Sequence, residues 1–154
     1  MTAINTDNLV NDFIVNTKEI FEDNMSSLGL KEIYTEDVVL VPVVPSLALS
    51  CISMWNELRS ISSANVRYEM TFIGDFWYYD SAMSEDIKRN LIMSKAYMVA
   101  KFIMEHASLN GFLTNTRALV RNCSFAPRVR SGVLMASARI IVAAPYQLRL
   151  SSIS

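Results

Sequence analysis

The order of periodic segments predicts an α+β protein: a mixed, mainly antiparallel sheet packed against two helices, with a C-terminal β-hairpin. Three observations carry this expectation. Apolar residues recur at helical spacing in two separate stretches, near the start and in the middle of the chain. Val66 to Ile73 reads as a strand, its residues alternating between apolar and polar as far as Phe72. A long run of small and aliphatic residues, from Val133 to Ala144, follows a segment holding Pro127 and Gly132.

The first helix is expected over about residues 7–25, with Thr6 or Asp7 as its cap. Leu9, Phe13, Ile14, Thr17, Ile20 and Phe21 fall on one face, and Asn11, Asp12, Lys18, Glu19 and Glu22 fall on the other. Gly29 lies just beyond and fits a terminator. Val38 to Trp55 reads as extended, with Pro42 and Pro45 placing it at a sheet edge or a bend because proline cannot donate to a ladder. The polar stretch from Glu57 to Asn65 reads as a loop. In the next strand Val66, Tyr68, Met70 and Phe72 share one face, and Gly74-Asp75 breaks the pattern before the aromatic run Phe76-Trp77-Tyr78-Tyr79.

A second helix is expected from Ser84, with Glu85 and Asp86 in its first turn where the macrodipole favours acids. Ile87, Leu91, Ile92, Ala96, Val99, Phe102 and Ile103 keep its spacing, and Asn110-Gly111 closes it. Residues 117–125 then form one strand of the hairpin, residues 125–132 its loop, and residues 133–144 its second strand. Leu134, Ala136, Ala138, Ile140, Val142 and Ala144 line one face of that strand. Its other face is half apolar, as in strands covered on both sides. Neither a repeat nor a linker interrupts the 154 residues, which read as a single domain, 1–154.

The composition is apolar for so small a domain: 51% hydrophobic, with a mean hydropathy of +0.24. A small domain has too little interior to hide that much, so the excess implies a partner, most simply another copy of the chain. Charge is unevenly placed. Residues 1–37 hold eight acids against Lys18 and Lys31, net −6, whereas residues 117–154 hold six arginines and no acid, net +6. That asymmetry suits association by opposite poles, a basic surface meeting nucleic acid, or two ends lying side by side in one subunit.

Cys51 and Cys123 are too few for a disulfide framework and fit a reducing, cytoplasmic origin. The polar, acidic start does not read as a signal peptide. Nineteen uncharged residues, Val38 to Asn56, approach spanning length, but the two prolines and acidic flanks argue for strand and against a membrane span.

The search for chemistry predicts no enzyme, no cofactor and no metal site. His106 is the sole histidine, so metal and nucleophilic constellations have too few members. The four glycines are scattered and cannot cradle a phosphate. Adjacent acids such as Glu22-Asp23 and Glu85-Asp86 point apart on a helix, and Asp75 and Asp80 could meet only across a turn. Four residues stand out for contact instead. In the aromatic run, alternation sends Phe76 and Tyr78 to the core and Trp77 and Tyr79 outwards, where such side chains either lie under a neighbouring loop or anchor a partner. Arg128 and Arg130, in the hairpin loop beside Pro127, are candidates for pairing with acids of another subunit or with DNA phosphates.

Element order, size and the closing run Ser131 to Ala143, in which a glycine precedes alternating small and aliphatic residues, resemble the tail terminator (tail completion) family of long-tailed bacteriophages. The resemblance implies a virion structural protein, assembled in the host cytoplasm. It would form a homohexameric ring on the head-proximal end of the tail tube. Such a ring ends tube polymerisation, contacts the tail tube protein and a neck or head-completion protein, and lets DNA pass through its lumen. It implies neither catalysis nor a cofactor. A head-closure or connector protein is the alternative of the same class. A nucleic-acid-binding module using the arginine-rich end is the alternative of another.

Overall fold

A computed structural model describes residues 6–61 and 65–151. Two helices, α1 (Thr6–Glu22) and α2 (Arg89–Glu105), cover one face of a six-stranded sheet. The strands are β1 (Glu32–Tyr34), β2 (Ser46–Ile61), β3 (Asn65–Ala82), β4 (Leu119–Phe125), β5 (Arg128–Arg130) and β6 (Val133–Ser151). They lie in the order β1-β2-β3-β6-β4, with β5 also pairing with β6. The β1–β2 pair is parallel and all others are antiparallel. The architecture is therefore the mixed, mainly antiparallel α+β fold that the periodicities predict. No helix among the described residues is long and apolar enough to cross a membrane.

The helix layer meets the sheet through the residues that the spacing selects. Phe13, Ile14, Ile20 and Phe21 of α1 are buried, as are Ile92, Ala96, Val99, Ala100 and Ile103 of α2. Opposite them lie Leu47 and Leu49 of β2, Phe72, Phe76 and Tyr78 of β3, and Ala136 to Ala144 at alternate positions of β6. The Phe13 ring stacks on Phe72 at 5.6 Å and on Phe76 at 6.2 Å between centroids. Both distances lie in the favourable range for aromatic pairs.

Four boundaries differ from expectation, each for a physical reason. Gly74-Asp75 does not break β3, which runs straight through. Gly74 faces the helix layer, where an added Cβ would stand 2.7 Å from the Phe76 ring and 3.2 Å from that of Phe13. The missing side chain makes room for two phenylalanines; it does not make a turn. The polar stretch 57–65 is mostly strand: β2 runs to Ile61 and β3 restarts at Asn65, with Glu57 opposite Glu69 and Leu58 opposite Tyr68. Backbone pairing, which leaves no hydrophobic alternation to read, sustains it.

Helix α2 starts at Arg89, not Ser84, and Lys88 at its cap makes no side-chain bond. The Met83 N–H donates to the Leu134 C=O, so the chain is still tied to the sheet there and needs Ser84 to Lys88 to climb to the helix layer. Leu91 is consequently half exposed. Residues 35–45 form no strand. β2 begins only at Ser46, beyond both prolines, and the irregular segment crosses the sheet's second face.

The hairpin is longer and tighter than its sequence suggests. β5 pairs Val129 with Leu134 and Arg130 with Val133, leaving only Ser131-Gly132 as the turn. Both have positive φ, +57° and +72°. Two such residues make a turn whose twist matches that of the flanking strands.

Candidate interaction face

The sheet's second face is built from the residues that alternate with the core. On β3 these are Asp75, Trp77 and Tyr79; on β6 they are Met135, Ser137 and Arg139, with Trp77 opposite Arg139 and Tyr79 opposite Ser137. Trp77 and Tyr79 thus point away from the helices, as alternation predicts. They are nevertheless buried, Trp77 being 9% exposed and Tyr79 0%. The chain's own Tyr34, Val38, Val41, Val44 and Ala126 pack over them, forming a second, smaller core. Of the two placements expected for an outward pair, the subunit adopts cover by a neighbouring loop. The two side chains therefore do not stand open to a second chain.

Arg128 and Arg130 sit on β5 rather than in a loop, and both reach the same carboxylate. Arg128 donates to the two Asp37 oxygens at 3.1 and 3.0 Å, and Arg130 donates to them at 3.1 and 3.3 Å. Arg128 also donates to the Tyr79 hydroxyl at 3.2 Å, and its guanidinium lies 4.2 Å above the Trp77 ring. Partial burial would raise the Asp37 pKa, but hydrogen bonds and charge from Arg130 and Arg128 outweigh it and hold the carboxyl below its ordinary value. The Ser131 N–H completes the closure by donating to the Val39 C=O at 3.0 Å. These residues join the acidic first quarter of the chain to its basic last quarter inside one subunit. That is the side-by-side arrangement.

A second ion pair continues the face. The Arg139 Nε donates to Asp75 at 2.6 Å, which raises the arginine's pKa further, and its guanidinium flanks Trp77 at 5.5 Å. Asp75 and Asp80 do not meet. Asp80 instead accepts from the Tyr78 hydroxyl at 2.9 Å and from Lys95 at 3.2 Å. Burial, then the bond to Asp80, pushes the Tyr78 hydroxyl's pKa well up, so it stays a proton donor. Sequence reasoning weighed Asp75 only as a partner for Asp80, and paired neither Asp75 with Arg139 nor Asp37 with Arg128 and Arg130. For Asp37 and the arginines the signal was the −6/+6 split, which names charges without pairing them.

Most of the exposed apolar residues among those described fall in two places. Val39 (74%), Leu40 (65%), Val129 (57%), Leu134 (46%) and Val133 (43%) surround the clamped hairpin. Leu91, Tyr97, Met98 and Met104 are exposed on α2, and Met98 lines a shallow cleft of about 190 Å³ with Leu28, Lys101, Phe102 and Glu105. Scattered exposed aliphatics are ordinary, but grouped ones mark contact surfaces.

Among the described residues, no group of three metal-ligating side chains comes together. His106 caps α2, with Nδ1 2.9 Å from the Phe102 carbonyl and its ring stacked on Phe102 at 4.1 Å. Cys51 and Cys123 are free thiols, and burial raises the pKa of both. Comparison with known protein families found no matching family model, and comparison with curated proteins found no match.

Proposed function

We propose that the chain is a structural virion protein of a tailed bacteriophage. In this reading it forms a ring, of six copies by the resemblance, at the head-proximal end of the tail tube. The ring ends tube polymerisation and offers the neck a docking surface. The observation that carries the reading is the pair of grouped apolar surfaces, around Val39 and Val133 and along Tyr97 and Met98, on a subunit whose core is already complete. A finished core with apolar groups left outside suits a part completed by neighbouring chains. The element order and the long closing strand support the resemblance to tail terminators.

The nucleic-acid reading has less to draw on. Arg128 and Arg130 share Asp37, and Arg139 is engaged by Asp75, so three of the six C-terminal arginines already have acids. DNA within the ring's lumen would meet a surface with part of its positive charge already answered.

Negative-stain images and native mass of the purified protein test the proposal, with closed rings as the expected result. A single copy per assembled particle would sink it. Salt-dependent binding of DNA by the isolated subunit would instead favour the nucleic-acid module.

A further inference from the structure

β2, β3 and β6 run on past Met70 and Tyr146, the last described members of the packed layer on β3 and β6. Their ladder continues as a three-stranded ribbon, with Asn56, Met70 and Tyr146 in one row and Leu58, Tyr68 and Leu148 in another. Among the described residues, β2 has no outer partner beyond Ala48, and β6 has none beyond Ala143 on the side away from β3. The ribbon therefore has two open edges at the same level. Open edges are templates for another strand.

The direction of the free groups follows from one contact. Thr116, just before β4, donates its hydroxyl to the Pro145 C=O, so Pro145 turns its backbone groups away from β3. In a strand this alternates, so Gln147 and Arg149 also direct N–H and C=O outwards. Thr71, opposite Pro145, must then face β2, and Met70 must face β6. Asn56 lies opposite Met70 and so turns its own N–H and C=O out of the other edge. Proline itself sits where its missing N–H costs the β3 ladder nothing.

We propose that these edges join copies of the chain, the β6 edge of one subunit pairing with the β2 edge of the next. The inference rests on the self-assembly reading above and specifies its contact. β2 and β6 both run antiparallel to β3, so they share a direction and would pair in parallel between copies. Because the open segments share the rows from Phe72 to Val66, neighbouring copies match there without an axial offset. A ring requires that, and a helical filament does not. The occupant is a second copy because each edge finds in the other a strand of matching direction and level.

Three proline variants of the full chain test this. Gln147→Pro and Asn56→Pro each remove an outward N–H and leave the subunit's own ladder intact, whereas Leu148→Pro removes an N–H donated to β3. The first two should lose ring formation, by native mass and negative stain, with melting temperatures within a few degrees of the parent. Leu148→Pro should melt far lower. An equimolar mixture of the first two should give heterodimers only, since each retains the edge the other lacks. Rings from Gln147→Pro would overturn the edge contact while leaving the structural reading intact. Homodimers of Gln147→Pro would overturn the head-to-tail order in favour of like-with-like pairing. A melting temperature for Gln147→Pro as low as that of Leu148→Pro would overturn the assigned edge geometry. A parent protein monomeric at every concentration would overturn the contact, and the copy number in assembled particles would then judge the proposed function separately.

Discussion

The two ends of the central sheet are finished in opposite ways. At the hairpin end, β5, β1 and the segment 35–44 close over Trp77 and Tyr79, and one carboxylate, Asp37, holds Arg128 and Arg130 together. At the other end the same strands run on as a ribbon with no outer partner for β2 or β6 among the described residues. One end satisfies its backbone and side chains within the chain. The other leaves its backbone groups for something else. The difference teaches that an apolar composition alone does not locate an interface. The aromatic run carries no charge and is buried within the subunit, while the open β2 edge from Glu57 to Ile61 lies in a stretch that reads as a polar loop.

That contrast can be broken most severely at the core beneath the closed end. Phe76→Ala should lower subunit stability by about 3–5 kcal/mol, because Phe76 is fully buried against Phe13 and its removal leaves a cavity. Urea unfolding measures the loss. Trp77→Ala comes next, at about 3 kcal/mol, since Trp77 is nine-tenths buried and supports the Arg128 guanidinium. A near-neutral result in the isolated subunit would mean that the 34–44 cover is not closed in solution.

Smaller changes sharpen the comparison. Gly132→Ala should cost about 1 kcal/mol: its φ of +72° disfavours a side chain, although open space surrounds the position. Thermal unfolding measures it, and ring formation should not change. Asp37→Asn should cost under about 1 kcal/mol, because the carboxylate is half exposed and solvent screens it. Its pH dependence gives the sign. The folded-state pKa lies below the unfolded value, so the ion pair's contribution is present above the unfolded pKa, about 3.9, and is lost as pH falls through the lowered one. The stability gap between parent and variant should therefore be full at pH 6 and close towards pH 2. A gap that widened in acid would contradict the assignment.

Much of the fold was legible because burial imposes periodicity. The α1 face of Phe13, Ile14, Ile20 and Phe21, and the alternating β6 residues Ala136 to Ala144, are read directly from spacing. What was not legible depends on the backbone or on distant partners. β2 beyond Glu57 carries no alternation, and Gly74 imitates a turn because glycine in a strand and glycine in a bend look alike in sequence. The register of the aromatic run was readable, but its cover was not, because Val38, Val41 and Val44 belong to a stretch that reads as strand. Asp37 and Arg128 lie 91 residues apart, and no local rule pairs them.

β6 belongs to both ends, and that has a mechanical consequence. Its nineteen residues form one uninterrupted strand, roughly 60 Å long, from the clamped hairpin to the ribbon. Tension applied along it loads its ladder to β3 in shear, so the rungs share the force together instead of peeling one at a time. Pull at the ribbon is thereby conveyed towards the salt-bridged hairpin along a single covalent backbone that stays laddered to β3 over most of its length.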